Sequence, residues 1–209
     1  MKYDLHIHSK YSWDGTLEPK RIVEIACKKG LRGVAIVDHN TMRGALETKK
    51  YETCDFQVIV GAEIKTEMGE IIGLFLTEEI RVRHLNDVIR EIKKQGGLVI
   101  VPHPFDNMRH SAYHPIEKDN WIDAIEGFNS RAVFSKYNQR ALSFALKNNI
   151  PVVAGSDAHW GNEIGNAGIE TDLDVREAIL SKNLIVYGKR SYLINHVMTK
   201  TLKVCRGQR

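Results

Sequence analysis

The chain has 209 residues, of which 43% are apolar and 27% charged, and it carries a net charge of +4. This is enough for one large globular domain with a full core, and the charge excess is too small for a protein that coats nucleic acid. No apolar run approaches the roughly 18 residues of a membrane span, and the first histidine, at residue 6, leaves no room for a leader peptide. In chain order, strand-like runs are "YDLHIHS" (3–9), "GVAIVDH" (33–39), "FQVIVGAEI" (56–64), "EIIGLFLT" (70–77), "GLVIVPHP" (97–104), "IDAIEGFN" (122–129) and "PVVAGSDAH" (151–159). Most are rich in Val and Ile and bounded by Gly, Pro or polar residues, as buried strands are.

Helical stretches lie between them. Residues 19–29 open with Pro19, place Ile22, Ile25, Ala26 and Lys29 on one side, and stop at Gly30. Residues 84–95 space Leu85, Val88, Ile89 and Ile92 helically before Gly96-Gly97. Residues 134–148 make a third helix before Pro151, and the segment from Glu177 reads as helix, short strand and last helix. Alternating β and α elements predict a parallel sheet, either open or closed into a barrel, in one domain over residues 1–209. Cys27, Cys54 and Cys205 form no CxxC pair, so no thiolate metal site or disulfide framework is expected. A reducing, cytoplasmic setting fits, with Cys27 packed on a helix face. The basic tail, with Lys200, Lys203, Arg206 and Arg209, reads as a solvated end.

Histidine is an unusual choice for the heart of a first strand. Of the nine histidines, His6, His8, His39, His103 and His159 fall at or near the C-terminal ends of predicted strands, and Asp14, Asp38, Glu63 and Asp157 recur at the same edge. In a parallel α/β fold these ends open on one face, so residues far apart in sequence meet there. Residues i and i+2 of a strand share a side, which pairs His6 with His8, and Asp157 with His159 if the strand extends that far. Such a nitrogen- and oxygen-rich set suits Zn, Mn or Fe, and Glu63 has two oxygens with which to bridge a pair of cations. His84, His110, His114 and His196 are read as structural, although His110 and His114 lie in a loop near the proposed mouth.

With these residues in place, the motifs "DLHIHS", "VDHN", "GAEI", "VPHPFD", "IEGFNSR" and "GSDAH", in this order, resemble the PHP (polymerase and histidinol phosphatase) family over nearly the whole chain. The resemblance implies a distorted (β/α)7 barrel. It also implies two or three divalent metal ions that activate water to hydrolyse phosphate esters. It puts His6, His8 and Asp157 on one metal, Glu63 as the bridge to a second held by His103, and Asp14, His39 and His159 on a third. Asn129 departs from the pattern, because many members carry a histidine there and an amide oxygen is a weak ligand. Arg109 and Arg131 each follow a site strand and are expected to grip phosphate, with Lys10 and Arg43 as weaker candidates. Asp38, next to His39, is expected to act as acid or base or to hold a histidine.

Two rivals follow. A metal amidohydrolase also opens with HxH, but it uses a lysine on a middle strand as its bridge, where this chain has Glu63. A non-catalytic metal-binding PHP module would have lost ligand types that this chain retains. The expected substrate is a phosphorylated small molecule, nucleotide or nucleic-acid end. Neither a membrane nor an obligate protein partner is expected.

Overall fold

The computed structural model describes residues 1–109 and 111–207. The strands are β1 (Lys2–Ile7), β2 (Gly33–Ile36), β3 (Gln57–Lys65), β4 (Glu70–Leu74), β5 (Leu98–Val101), β6 (Ala124–Asn129), β7 (Val152–Gly155), β8 (Ala167–Glu170) and β9 (Ile185–Gly188). The helices are α1 (Pro19–Lys28), α2 (Arg43–Lys49), α3 (Leu85–Lys94), α4 (Ser135–Lys147), α5 (Val175–Ser181) and α6 (Leu193–Cys205). None of these helices is long and apolar enough to cross a membrane.

One sheet runs in the order β7-β6-β5-β4-β3-β2-β1-β8-β9. Beyond β7 the chain meets β1 again: Ile7 and Ala158 bridge in parallel, and His8 N–H donates to the Ala158 carbonyl at 2.9 Å. The sheet is thus a nearly closed, distorted barrel in a single domain.

The expected all-parallel alternation is corrected at β8, which pairs antiparallel with β1 and β9, and in two further places. β3 turns straight into β4, which pairs antiparallel with both β3 and β5. The turn is a short Thr66–Gly69 loop, in which Thr66 N–H donates to the Gly69 carbonyl at 2.9 Å and Gly69 has φ +139°. Between β5 and β6 the described residues form no helix. The sequence reading also missed α2, only seven residues long, and the four-residue strand β8, both too short to show a period.

The barrel interior is filled by inward rows that include Tyr3, Leu5, Ala35, Ile59, Ile72, Leu74, Leu98, Ile100, Ala124 and Val153. Outside, α1 packs Ile22 and Ala26 on Val34, Ile36 and Ile7, while α3 and α4 cover Val99, Val101 and Ile125. Each large side chain so buried contributes about 1.5–3 kcal/mol. The rows change character at the mouth. Ile59 is followed two pleats later by Glu63, Ile72 is preceded by Glu70, and Val153 leads toward Asp157. On β1 the register shifts between Asp4 and Ile7. That irregularity moves Ile7 outward against α1 and leaves His6 and His8 facing the barrel. Cys27, expected to pack, is exposed.

Candidate metal centre

The barrel mouth gathers every histidine and carboxylate that the sequence offered as a ligand. His6 Nε2 and His8 Nε2 converge to 3.1 Å. Glu63 reaches across with both oxygens: Oε1 lies 2.9 Å from His103 Nε2, and Oε2 lies 3.1 Å from His39 Nδ1 and 3.5 Å from His8 Nε2. Asp157 Oδ1 stands 3.5 Å from His8 Nε2 and 3.8 Å from His6 Nε2. Asp14 Oδ2 stands 3.0 Å from His159 Nε2 and 3.4 Å from His39 Nε2. Gly155 makes this convergence possible, since a Cβ there would overlap that of His6. Two candidate ligands, His103 (φ +29°) and Asp157 (φ +55°), have left-handed backbone, which redirects side chains after their strands end. Asp157 and His159 therefore meet the centre by a turn, since β7 stops at Gly155.

Ligand atoms within 4.8 Å of one another fall into overlapping sets: His6, His8 and Asp157; His6, Glu63 and His103; His8, Asp14, His39 and His159; His39, Glu63 and Glu70. His6 and His8 each present one free nitrogen, because His6 Nδ1 lies 3.0 Å from Glu126 Oε1 and His8 Nδ1 3.0 Å from Ser12 Oγ. If both serve the first set, Glu63 and His103 remain for a second and Asp14, His39 and His159 for a third. The arrangement fits divalent cations. The buried atoms Asp157 Oδ1 and Asp14 Oδ1 have no hydrogen-bond partner, and two imidazole nitrogens 3.1 Å apart match neighbouring ligands of one ion. Glu126 and Ser12 orient the first histidines from behind, as outer partners of metal-bound imidazoles do.

Electrostatics agree with this. Burial pushes the Glu63 carboxyl up, but the surrounding His6 and His39 imidazoles outweigh it and hold the group well below the usual carboxylate range. Burial pushes the Asp157 carboxyl up too, and the Arg109 guanidinium with His6 pulls it well below. His6 and His39 behave in the opposite sense: burial lowers them, yet Glu126, Asp157 and Glu63 for the first, and Glu63 and Asp14 for the second, raise both well above an ordinary histidine.

The three residues expected to do chemistry differ in placement. Arg109 is at the centre, with Nη2 2.6 Å from Asp157 Oδ2 and the side chain about a quarter exposed. Arg131, expected at the mouth, is buried. Its Nη1 donates to both Glu163 oxygens at 2.9 and 2.8 Å and its Nη2 to Thr199 Oγ1 at 3.1 Å, so the guanidinium is turned to Glu163 and α6. Asp38 stands behind the ligands. Its oxygens accept from Ser9 N–H at 2.6 Å and Ser9 Oγ–H at 2.7 Å and so brace the loop that carries Ser12, a placement that suits the supporting one of its two expected roles. Asn129 turns its amide nitrogen inward, donating to Glu126 Oε2 at 2.9 Å and Asp157 Oδ2 at 3.2 Å, while its oxygen accepts from Arg131 N–H at 2.9 Å. Lys10 pairs with Glu18, and the Arg43 guanidinium lies over the Tyr11 ring. His110 and Arg209 lie outside the described residues.

Sequence reasoning missed Glu70, whose Oε2 lies 3.7 Å from His103 Nε2 and whose Oε1 lies 3.8 Å from His39 Nδ1. The signal was available. The short turn ending at Gly69 marks a hairpin, and an antiparallel strand brings its first residue, not its last, to the mouth. Glu126 was legible only as a charge in the middle of a buried strand.

The model of one family, the PHP domain, matches residues 4–195. The chain belongs to the PHP domain family. An uncharacterized protein of Methanocaldococcus jannaschii is 43% identical over 159 residues, spanning 70% of this chain and 92% of the relative. A second from the same organism is 40% identical over 177 residues, spanning 81% and 70%. The crystal structure of a two-domain protein of Bacteroides vulgatus, described as containing a predicted PHP-like metal-dependent phosphoesterase, superposes with a TM-score of 0.76 at 22% identity. It covers 90% of this chain and 65% of that one, and at this identity the likeness concerns the fold. All the candidate ligands lie inside the matched PHP segment, whereas α6 from residue 196 onward lies beyond it.

Proposed function

We propose that this PHP domain hydrolyses phosphate esters at the barrel mouth with two or three bound divalent ions. The observation that carries the reading is Glu63, buried, with one oxygen facing His103 and the other facing His39 and His8. Bound there, divalent metals would polarise a water as nucleophile and offset charge on the phosphoryl oxygens. Zn, Mn or Fe suits a donor set of imidazoles and carboxylates with no thiolate.

The chain's own groups do the rest. Glu126 and Ser12 fix the rings of His6 and His8, so that both Nε2 atoms point to one spot. Arg109 holds Asp157 with one nitrogen and, a quarter exposed, reaches the mouth, where its planar fork suits a phosphoryl oxygen. The substrate is a phosphorylated small molecule, a nucleotide or the end of an oligonucleotide. A cytoplasmic location suits three reduced cysteines. The amidohydrolase reading is disfavoured because a carboxylate, not a lysine, occupies the bridging position.

The test is a panel of phosphorylated metabolites, dinucleotides and short RNA and DNA oligomers, assayed with Mn or Zn after elemental analysis of the loaded protein. Two or three metals per chain and turnover of at least one ester class are expected. A protein that holds two metals and cleaves none of them overturns the proposal.

A further inference from the structure

Helix α6 lies beside the centre, and its inner face is polar. Asn195 and Thr199 are buried, and Lys203 is about one-third exposed. Three anchors hold the helix. Asn195 Oδ1 accepts from Asn162 Nδ2 at 3.2 Å. Thr199 Oγ1 accepts from Arg131 Nη2 at 3.1 Å and Trp160 Nε1 at 3.0 Å. Arg206, just past the helix, donates to the Trp13 and Gly15 carbonyls at 3.0 and 3.1 Å. The helix is thus tied to the two loops that carry His159 and Asp14. Between the anchors, the Lys203 ammonium stands 4.0 Å from the Trp13 ring centroid and 3.3 Å from Asp14 Oδ2. Trp13 in turn stacks on His39 at 5.0 Å.

We propose that α6 is a recognition helix and that Lys203 is a specificity-determining contact for the substrate's anionic phosphoryl group, at the Asp14–His39–His159 end of the centre. The inference rests on the phosphoesterase reading above. Among the described residues Asp14 is the one carboxylate paired with Lys203. A divalent ion held by Asp14, His39 and His159 would take that carboxylate's charge and leave the ammonium facing a cation. An anion between the two resolves the repulsion, and the phosphoryl group is the anion this chemistry brings. At this end the other cations are committed, Arg131 to Glu163 and Arg206 to backbone carbonyls, while Arg109 stands beside Asp157 at the opposite end. The Trp13 face already orders the lysine, so little freedom is lost when it grips a ligand. An ammonium with three rotatable donors suits an oxygen whose position shifts as the bond to phosphorus breaks.

The experiment compares metal-loaded full chain with Lys203→Gln and Lys203→Arg, measuring KM and kcat on an aryl phosphate, competitive inhibition by inorganic phosphate, and metals per chain. In Lys203→Gln, KM and the phosphate inhibition constant should rise together about tenfold. The change in kcat should stay within about threefold, metal content should not move, and Lys203→Arg should recover most of the loss. Unchanged KM and phosphate inhibition in an active protein overturn this proposal alone. Loss of metal in proportion to activity overturns it as well, since Lys203 would then be a brace for Asp14. A wild type that is inactive on every ester removes the phosphoesterase reading and this inference with it.

Discussion

The two ends of the candidate centre are unequally supplied. At the β1–β7 end, Asp14, His39 and His159 converge from three separate segments, and His159 is further fixed by its N–H donating to Glu163 Oε2 at 3.0 Å. At the β5–β6 end, once His6 serves the first set, Glu63 and His103 stand with Glu70 behind them, Asn129 shows its amide nitrogen instead of a ligand atom, and Arg109 supplies positive charge. A cluster of carboxylates needs cations, and the inward rows decide what kind. Where a row ends in histidine, a metal is favoured. Where it ends in asparagine, a fixed guanidinium does part of the balancing.

Glu63 makes closer contacts with both ends than Glu70 does, at 2.9 Å to His103 and 3.1 Å to His39 against 3.7 and 3.8 Å, so its loss should have the largest effect. In Glu63→Gln one anionic oxygen pair becomes a neutral amide with a single acceptor. Activity on an aryl phosphate should fall by about a thousandfold or more, because several kcal/mol of metal-derived stabilisation are lost. Elemental analysis should show at least one metal fewer per chain while circular dichroism keeps its wild-type shape. Unchanged turnover would remove Glu63 from the mechanism and the comparison with it.

The two arginines separate the ends more finely. Arg131 braces the richer end through Glu163, whose Oε2 also accepts from His159 N–H and Trp160 N–H. Arg131→Ala leaves Glu163 buried without its partner, so thermal unfolding should report a loss of about 3–5 kcal/mol. Arg109→Ala should leave the fold intact and lower kcat/KM roughly 10- to 150-fold, the worth of one charge-assisted hydrogen bond of about 1.5–3 kcal/mol. If Arg131→Ala were as stable as wild type and lost only catalysis, the mouth position expected from the sequence would be restored.

Those arginines also show what was legible. Both lie a few residues past a strand, which sequence reads as the mouth, yet the chain after Asn129 turns Arg131 toward α6 and a glutamate 32 residues away. Nothing local encodes that partner. His6 and His8 were legible because period two is a property of neighbours, whereas the register shift that aims them inward belongs to the pairing of two strands. Glu70 was overlooked because the reading searched strand C-termini, and β4 runs the other way. Lys203 read as part of a solvated tail, since a cation 189 residues from its carboxylate leaves no trace in spacing. Most of the seven barrel strands, by contrast, were visible as Val- and Ile-rich runs, because burial on both faces makes composition itself the signal.

A smaller effect concerns the protons that the centre would carry once a chelator has stripped it of metal. His6 and His39 are raised well above an ordinary histidine by their carboxylates, against the effect of burial. A raised folded-state value contributes stability that is complete below the unfolded value of about 6.5 and is lost as pH climbs through the folded one. Asp4, pushed up to about 6 by burial against its hydrogen bonds from Ser156, Gly165 and His6, works in the same direction but below that window. Chelator-treated protein should therefore melt at lower temperature at pH 9 than at pH 7. Metal-loaded protein should show a flat or opposite trend, because deprotonated imidazoles bind cations better as pH rises. Parallel curves for the two forms would mean that metals do not replace these protons.

The finest test supplies the poorer end with what it lacks. Asn129 Oδ1 accepts from Arg131 N–H at 2.9 Å and lies 3.4 Å from Arg109 Nη2, while Nδ2 donates to Glu126 and Asp157. An imidazole at this position can keep one donation through a ring N–H and turn its other nitrogen toward Glu63 and His103. The cost is the acceptor for Arg131 N–H, about 1 kcal/mol. Asn129→His should therefore be slightly less stable without metal, by a few degrees in Tm, and should retain more zinc during dialysis, approaching one additional ion per chain. The added ion also competes with Arg109 for Asp157 Oδ2, so the gain should be larger in the double variant with Arg109→Ala than in Asn129→His alone. Equal metal content in wild type and both variants would show that the β5–β6 end is already full, and that the asparagine is not what limits it.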